Sequence, residues 1–229
     1  MKAYVIGLSR IPSSNDSAHR VIDNLKQFGI DAEFFEGTYG DEAENIFAKE
    51  DRVLYHTSFK GNPVDDEYRA SSMRPGVMGC FHSHFRLWVK CSRGKEPILI
   101  FEDDVIFERG FIPVSWQDVL LVATGKSVHT NEFYASKLYT PSGDPKAVGF
   151  KGKVMPGAVG YGLTPEGAKK LVAFYRNTFL PADNAINMSV VNLECHNYLM
   201  GRADTDKKSL TKSNQWFPKK KKSSNKAQI

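Results

Sequence analysis

The run Ile98-Leu99-Ile100-Phe101-Glu102-Asp103-Asp104 constrains this chain more than any other stretch. Four apolar residues of strand-forming type end in three consecutive carboxylates. In open α/β sheets, ligands bind beyond the carboxyl ends of the strands, so these acids stand where a ligand would. Three neighbouring carboxylates repel one another unless positive charge lies among them. Mg²⁺ and Mn²⁺ prefer carboxylate oxygen, and a metal held at a sheet edge commonly carries a phosphate. The run therefore points to a metal-assisted, nucleotide-dependent transferase.

The surrounding pattern supplies a sheet for that strand. Ala3 to Leu8 reads as a first buried strand, and Val21, Ile22, Leu25 and Phe28 recur at helical spacing from Ser17 to Phe28. Gly29 takes the usual cap position, and Asp31 to Phe35 reads as a second strand. A β-α-β opening of this kind implies a parallel pair with a right-handed crossover. Gly76 to Ser92 is the strongest helix, with Val77, Cys80, Phe81, His84, Leu87, Trp88 and Cys91 on one stripe. Glu36 to Arg74 is a long, partly helical excursion expected to face substrate. Further strands are expected at Val119 to Ala123, Glu132 to Leu138, Ala147 to Phe150 and, glycine-spaced, Gly157 to Leu163. Thr164 and Pro165 open a helix as N-cap and first-turn proline. Pro181-Ala182-Asp183 precedes a last helical or mixed segment reaching Met200.

The 229 residues suit one α/β domain, and 41% hydrophobic with 12% aromatic content is enough for a core. No apolar run approaches the ~20 residues of a membrane span, and the first residues turn polar too soon for a signal peptide. A cytoplasmic protein is expected. Cys80, Cys91 and Cys195 are odd in number and show no paired short spacing, which argues against a disulfide framework or zinc ribbon. Cys80 and Cys91 share the helical stripe and read as core. The formal charge of +5 is unevenly placed: residues 207–229 hold eight lysines and no acid, so the body is slightly acidic. The chain divides into a domain over 1–206 and a basic, low-complexity tail over 207–229, expected to be disordered. That tail is a solvated terminus, a hold on an anionic membrane surface at ~1 kcal/mol per lysine, or a salt-sensitive contact to nucleic acid.

Several blocks, in order, resemble glycosyltransferase family 25. Tyr4-Val5-Ile6-Gly7-Leu8-Ser9-Arg10 is similar to its opening strand and arginine. Gly76-Val77-Met78-Gly79-Cys80-Phe81-His82-Ser83-His84 is similar to its Gly-x-x-Gly-Cys-x-x-Ser-His helix. Glu102-Asp103-Asp104, the Gly157 to Ala168 block and Pro181-Ala182-Asp183 complete the set. Gly7 departs from the usual asparagine, and Ala18-His19-Arg20 from the usual Asp-Arg pair. The resemblance implies a GT-A-type, Rossmann-like single domain with a mixed, mostly parallel central sheet and flanking helices. It also implies a nucleotide-sugar donor, usually UDP-linked, and inversion at the anomeric carbon.

Sugar transfer needs charge neutralised on the departing diphosphate, which a divalent metal does as a Lewis acid, and a base for the attacking hydroxyl. Asp104, with Glu102 or Asp103 assisting, is the candidate metal ligand for Mn²⁺ or Mg²⁺. The alternative is a solvated turn or a helix N-cap. Asp183 is the candidate base or acceptor-hydroxyl anchor, or else an N-cap for the following helix, and Glu102 is a lesser candidate base. Leu8, Arg10 and Asp103 are candidate donor-binding residues, Arg10 towards uracil, ribose or diphosphate. The resemblance adds Ser83 and His84 beside the donor, although His84 on an apolar stripe equally suits a satisfied core histidine. Ser83 and His84 as helix neighbours do not face each other, which argues against a nucleophile pair. Gly157, Gly160 and Gly162 lack the spacing of a phosphate fingerprint and read as an acceptor-side wall.

The leading expectation is thus a metal-dependent glycosyltransferase acting from a UDP-sugar on a glycan hydroxyl, such as that of lipopolysaccharide, in the cytoplasm or peripherally on the inner face of a membrane. A viral-type DNA-base glycosyltransferase, working in host cytoplasm and holding DNA by its basic tail, is a second reading. A non-catalytic nucleotide-sugar binding module is a third.

Overall fold

The computed structural model describes residues 1–57, 63–125, 145–149, 154–155, 157–204 and 206. The opening is β1 (Lys2–Gly7), α1 (Pro12–Gln27) and β2 (Asp31–Glu36), with β1 and β2 parallel in direct register from Lys2 opposite Asp31. Gly29 sits at φ +74° and its N–H reaches the Lys26 carbonyl, which closes α1 as the sequence expects. The excursion that follows carries α2 (Gly40–Lys49), the two-residue β3 (Val53–Leu54) and α3 (Asp66–Ser72). Next come α4 (Pro75–Ser92), β4 (Ile98–Glu102), β5 (Val105–Phe107), β6 (Val119–Thr124), β7 (Ala147–Gly149) and β8 (Gly160–Leu163). The chain closes with α5 (Pro165–Phe174), β9 (Thr178–Phe179), α6 (Ala182–Ala185), β10 (Leu193–His196) and β11 (Gly201–Ala203).

Nine of these strands form one sheet in the order β2-β1-β4-β8-β6-β10-β7, with β11 pairing β5 and β6. Six run one way. The strands β5, β7 and β8 run against them, so the sheet is mixed and mostly parallel. This is a Rossmann-like, GT-A-type architecture. The strands β3 and β9 form a separate parallel pair.

Period-two alternation divides the central strands between two cores. Tyr4, Ile98, Ile100, Val119, Leu121, Tyr161 and Leu163 face one core together with Phe81, Trp88 and Leu171 from α4 and α5. Ala3, Val5, Leu99, Phe101, Leu120 and Val122 face the other, with Val21, Ile22 and Leu25 of α1. The same alternation sends Glu102 to the α4 side and Asp103 to the α1 side. Near-continuous burial of β4 and β6 follows from being covered on both faces.

The expected Glu132 to Leu138 strand, Phe150 and the basic tail lie outside the described residues. The glycine-spaced strand begins three residues later than expected, at Gly160. The mixed segment from Pro181 to Met200 resolves into one helical turn and one short strand, and a further strand, β11, follows it. Among the described residues, no helix is long and apolar enough to cross a membrane.

Helix α4 approaches the loop after β2 at Gly79, where an added Cβ would lie 2.6 Å from the Thr38 carbonyl oxygen. One turn on, Ser83 Oγ accepts the Thr38 N–H at 2.8 Å and donates to the Gly79 carbonyl at 2.7 Å. The contact is to backbone, so it cannot be relieved by a rotamer change. Gly79→Ala is expected to lower stability by about 1–3 kcal/mol, measured by urea unfolding.

Candidate active site

The carboxyl ends of β1 and β4 lie side by side, Ile6 pairing with Glu102. Beyond them a cavity of about 370 Å³ opens. Its walls come from α3 (Tyr68, Ser71, Ser72), the start of α4 (Arg74, Val77, Cys80), the end of β4 (Glu102), the backbone entering β8 (Gly157 to Val159), and Pro181 to Asn184 around α6. The volume is that of a small-molecule cleft. Because β8 runs antiparallel to β4, it brings its entry to the edge where β4 ends, and the Glu102 N–H bonds the Val159 carbonyl at 2.9 Å. The expected acceptor-side wall at Gly157 thus lines the cavity.

Glu102 is fixed by a buried chain of polar groups. Trp88 Nε1 donates to the Tyr161 hydroxyl at 2.9 Å, and that hydroxyl lies 2.8 Å from His84 Nδ1. His84 Nε2 lies 3.2 Å from Glu102 Oε1. The proton arrangement that satisfies each partner has Tyr161 donating to Nδ1 and Nε2–H donating to the carboxylate. The Cys80 thiol donates to the same Glu102 oxygen at 3.7 Å. Trp88 and Tyr161 are fully buried and His84 nearly so, while Glu102 reaches the cavity.

The three expected acids separate as the alternation requires. Asp103 accepts from the Ser14 hydroxyl on α1, and Ser14 Oγ in turn accepts the Leu8 N–H at 3.0 Å. Leu8 and Asp103, both expected on the donor side, are thereby joined through one serine. Glu102, Asp183 and Asp104 instead act together on Cys80: burial first, then these carboxylates, push its thiol well up. Asp183, on the first turn of α6, also lines the cavity, and its carboxyl is raised by burial and then by the charge of Glu102. The backbone carbonyl of Asp104 accepts the Asp204 N–H at 2.7 Å, fastening the acid turn to the end of β11.

Arg10 lies at the end of β1 but is committed there. Its guanidinium stacks 3.4 Å from the Tyr39 ring centroid and pairs with Glu42 at 2.8 Å and Asp41 at 3.3 Å. Ser83 is spent on the Thr38 and Gly79 backbone and does not line the cavity. His82 likewise binds Thr38 Oγ1 at 2.7 Å. Sequence reasoning missed Tyr68 and Asn184, whose side chains bond each other at 3.0 Å on the cavity wall, and Arg74 at its rim. It also placed Cys80 in the core, whereas its stripe ends against the strand tip and puts the thiol at the cavity. Polar residues at 68 and 184 carry no periodic signal; the Pro181-Ala182-Asp183 block was the only hint nearby.

The donors for a hard divalent cation are carboxylate oxygens: Glu102 and Asp183 face the cavity, and Asp104 stands in the turn just beyond Glu102, near enough for its charge to act with theirs on Cys80, so the residue types at this end of β4 fit such an ion. The atoms of Cys80, His84 and Glu102 form a second grouping, all within 4.8 Å of one another.

The model of glycosyltransferase family 25, described as a lipopolysaccharide biosynthesis protein family, matches residues 1–186. The chain belongs to glycosyltransferase family 25. A glycosyltransferase 25 family member of Drosophila melanogaster is 27% identical over 177 residues, covering 75% of this chain and 28% of the fly protein. A family member of Aedes aegypti is 25% identical over 74% of this chain and 27% of its own length. The human inactive glycosyltransferase 25 family member 3 is 32% identical over 186 residues, 75% of this chain and 28% of the human protein. This chain therefore spans less than a third of the length of these relatives. The match covers every cavity-lining element.

Tyr161→Phe would leave Trp88 Nε1 and His84 Nδ1 without their shared partner in the core. The expected loss is about 1–3 kcal/mol by urea unfolding. The loss should be smaller when Trp88→Phe is already present, because one of the two orphaned groups is then gone.

Proposed function

We propose that this chain is a working glycosyltransferase that moves a sugar from a UDP-type donor onto a glycan hydroxyl, assisted by a divalent cation and with inversion at the transferred carbon. The observation that carries this reading is the pair of carboxylates Glu102 and Asp183 on one cavity at the carboxyl end of β4, with Asp104 in the turn that follows the strand. The family's link to lipopolysaccharide biosynthesis supports a saccharide acceptor.

In this reading Asp183 receives the proton of the attacking hydroxyl. Burial and the neighbouring Glu102 charge make it a stronger base than an ordinary aspartate. Tyr68 and Asn184 beside it offer a hydroxyl and an amide to sugar hydroxyls. The joined Leu8 and Asp103 lie on the donor side, across the strand end. Glu102 and Asp104 would hold the cation, Mn²⁺ or Mg²⁺, which when bound neutralises charge on the departing diphosphate. His84 keeps Glu102 oriented through its Nε2–H. Arg74 at the rim adds a positive charge for an anionic donor group.

The inactive relatives favour one rival, a nucleotide-sugar binding module without turnover. A donor panel of UDP-, GDP- and CMP-sugars in Mn²⁺, read by released nucleotide, separates the two. Release from a UDP-sugar that chelator abolishes, and that Asp104→Ala lowers by at least ~10²-fold, is expected. Metal-dependent binding of UDP with no release would establish the rival instead.

Asp183→Asn tests the base. Transfer should fall ~10²–10⁴-fold while the melting temperature holds or rises. The sign follows from the raised carboxyl: its folded value lies above the unfolded one, so the ionised group opposes folding at neutral pH. Relief of 1 kcal/mol would raise Tm by about 2–4 °C in a chain of this size. For the wild-type enzyme, kcat/KM should rise with pH through a limb above the ~3.9 of an unperturbed aspartate.

A further inference from the structure

Cys80 and His84 lie one helical turn apart on α4, the i, i+4 spacing that places two ligands on one helix face. Glu102 meets them from the end of β4. The separations suit a tetrahedral ion: Glu102 Oε1 is 3.2 Å from His84 Nε2 and 3.7 Å from Cys80 Sγ. With metal bonds of ~2.0 Å to N and O and ~2.3 Å to S, ligand atoms of a tetrahedral ion stand ~3.3–3.6 Å apart. The widest separation in the trio is no more than 4.8 Å, so a closing movement of about 1 Å by a side chain completes the set. The other nitrogen of His84 is already held by Tyr161, the kind of outer partner that orients metal-bound histidines. Cys80 and Glu102 both line the cavity, which leaves a fourth position facing it.

We propose that Cys80, His84 and Glu102 form a three-ligand site for a thiophilic divalent cation of the zinc class, and that filling it switches the transferase off. One thiolate, one imidazole and one carboxylate make a softer donor set than the all-oxygen rim, and select zinc over Mn²⁺ or Mg²⁺. On binding, the Cys80 thiol gives its proton to solvent, the His84 proton passes from Nε2 to Nδ1, where it is donated to the Tyr161 hydroxyl, and the ion replaces the hydrogen bonds that Cys80 and His84 make to Glu102. Glu102 is then withdrawn from the cavity it shares with Asp183. The binding half stands on geometry alone; the switching half rests on the transferase reading above.

The test uses the full-length chain, reduced and stripped of metal, titrated with Co²⁺ as an optical probe and then with Zn²⁺ in competition. A thiolate-to-cobalt charge-transfer band with tetrahedral visible bands, displaced by one equivalent of zinc, is expected. Cys80→Ser should abolish the charge-transfer band and weaken zinc at least tenfold, whereas Cys91→Ser and Cys195→Ser should leave both unchanged. A band that survives Cys80→Ser, or that vanishes with either other cysteine instead, overturns the site. Binding is read without any sugar donor, so a chain with no transferase activity still decides it. In an active preparation with saturating Mn²⁺, equimolar zinc should suppress nucleotide release from the wild type and not from Cys80→Ser; equal suppression in both overturns the switch.

Discussion

The carboxylate of Glu102 is the point on which the site depends. It ends a strand whose four preceding residues are buried, and it is held from the helix side by His84 and Cys80. That grip is inherited from Trp88 and Tyr161, which have no exposure and therefore no slack. An acid at a strand tip would otherwise be a mobile group in solvent. Here the packing of α4 on β4 and β8 turns it into a directional one. The same packing requires Gly79, because α4 must also come within backbone contact of the Thr38 loop.

Electrostatics then follow from position. Glu102 at the end of β4 with Asp104 in the turn after it, and Asp183 on α6, come from two separate segments; burial and the Glu102 charge raise the Asp183 carboxyl, and burial with all three charges raises the Cys80 thiol. A group held away from its preferred charge state lowers stability and adds reactivity. Structure and chemistry are in opposition at this rim, as functional sites commonly are.

What was legible beforehand was whatever has a period. The stripe of α4 foretold its burial, and the apolar run from Ile98 to Phe101 foretold the strand that ends in Glu102. Strands of two to four residues such as β3, β9, β10 and β11 are too short to show a period, and they were missed or merged. Cys80 was misplaced for a related reason: a stripe says which face a residue shares but not where along the helix the sheet stops. Arg10 stands where expected, yet its pairing with Asp41 and Glu42 depends on the entry of α2, which the irregular sequence after Gly37 did not disclose. Tyr68 and Asn184 meet across 116 residues of chain, a contact that no local pattern encodes.

The reversal of β8 has a consequence for how such a site can diversify. In a wholly parallel sheet each strand tip hands over to a loop leading into a helix, so altering the loop disturbs a layer of the core. Here one wall arrives from the opposite direction, as main chain about to enter the sheet at Gly160. The main chain of Gly157 to Val159 belongs to no helix layer, so this wall can be altered while the register of β8 against β4 and β6 stays as it is. The frame and the aperture are thereby set by different stretches of chain, and one scaffold can be refitted to a different ligand without refolding its core.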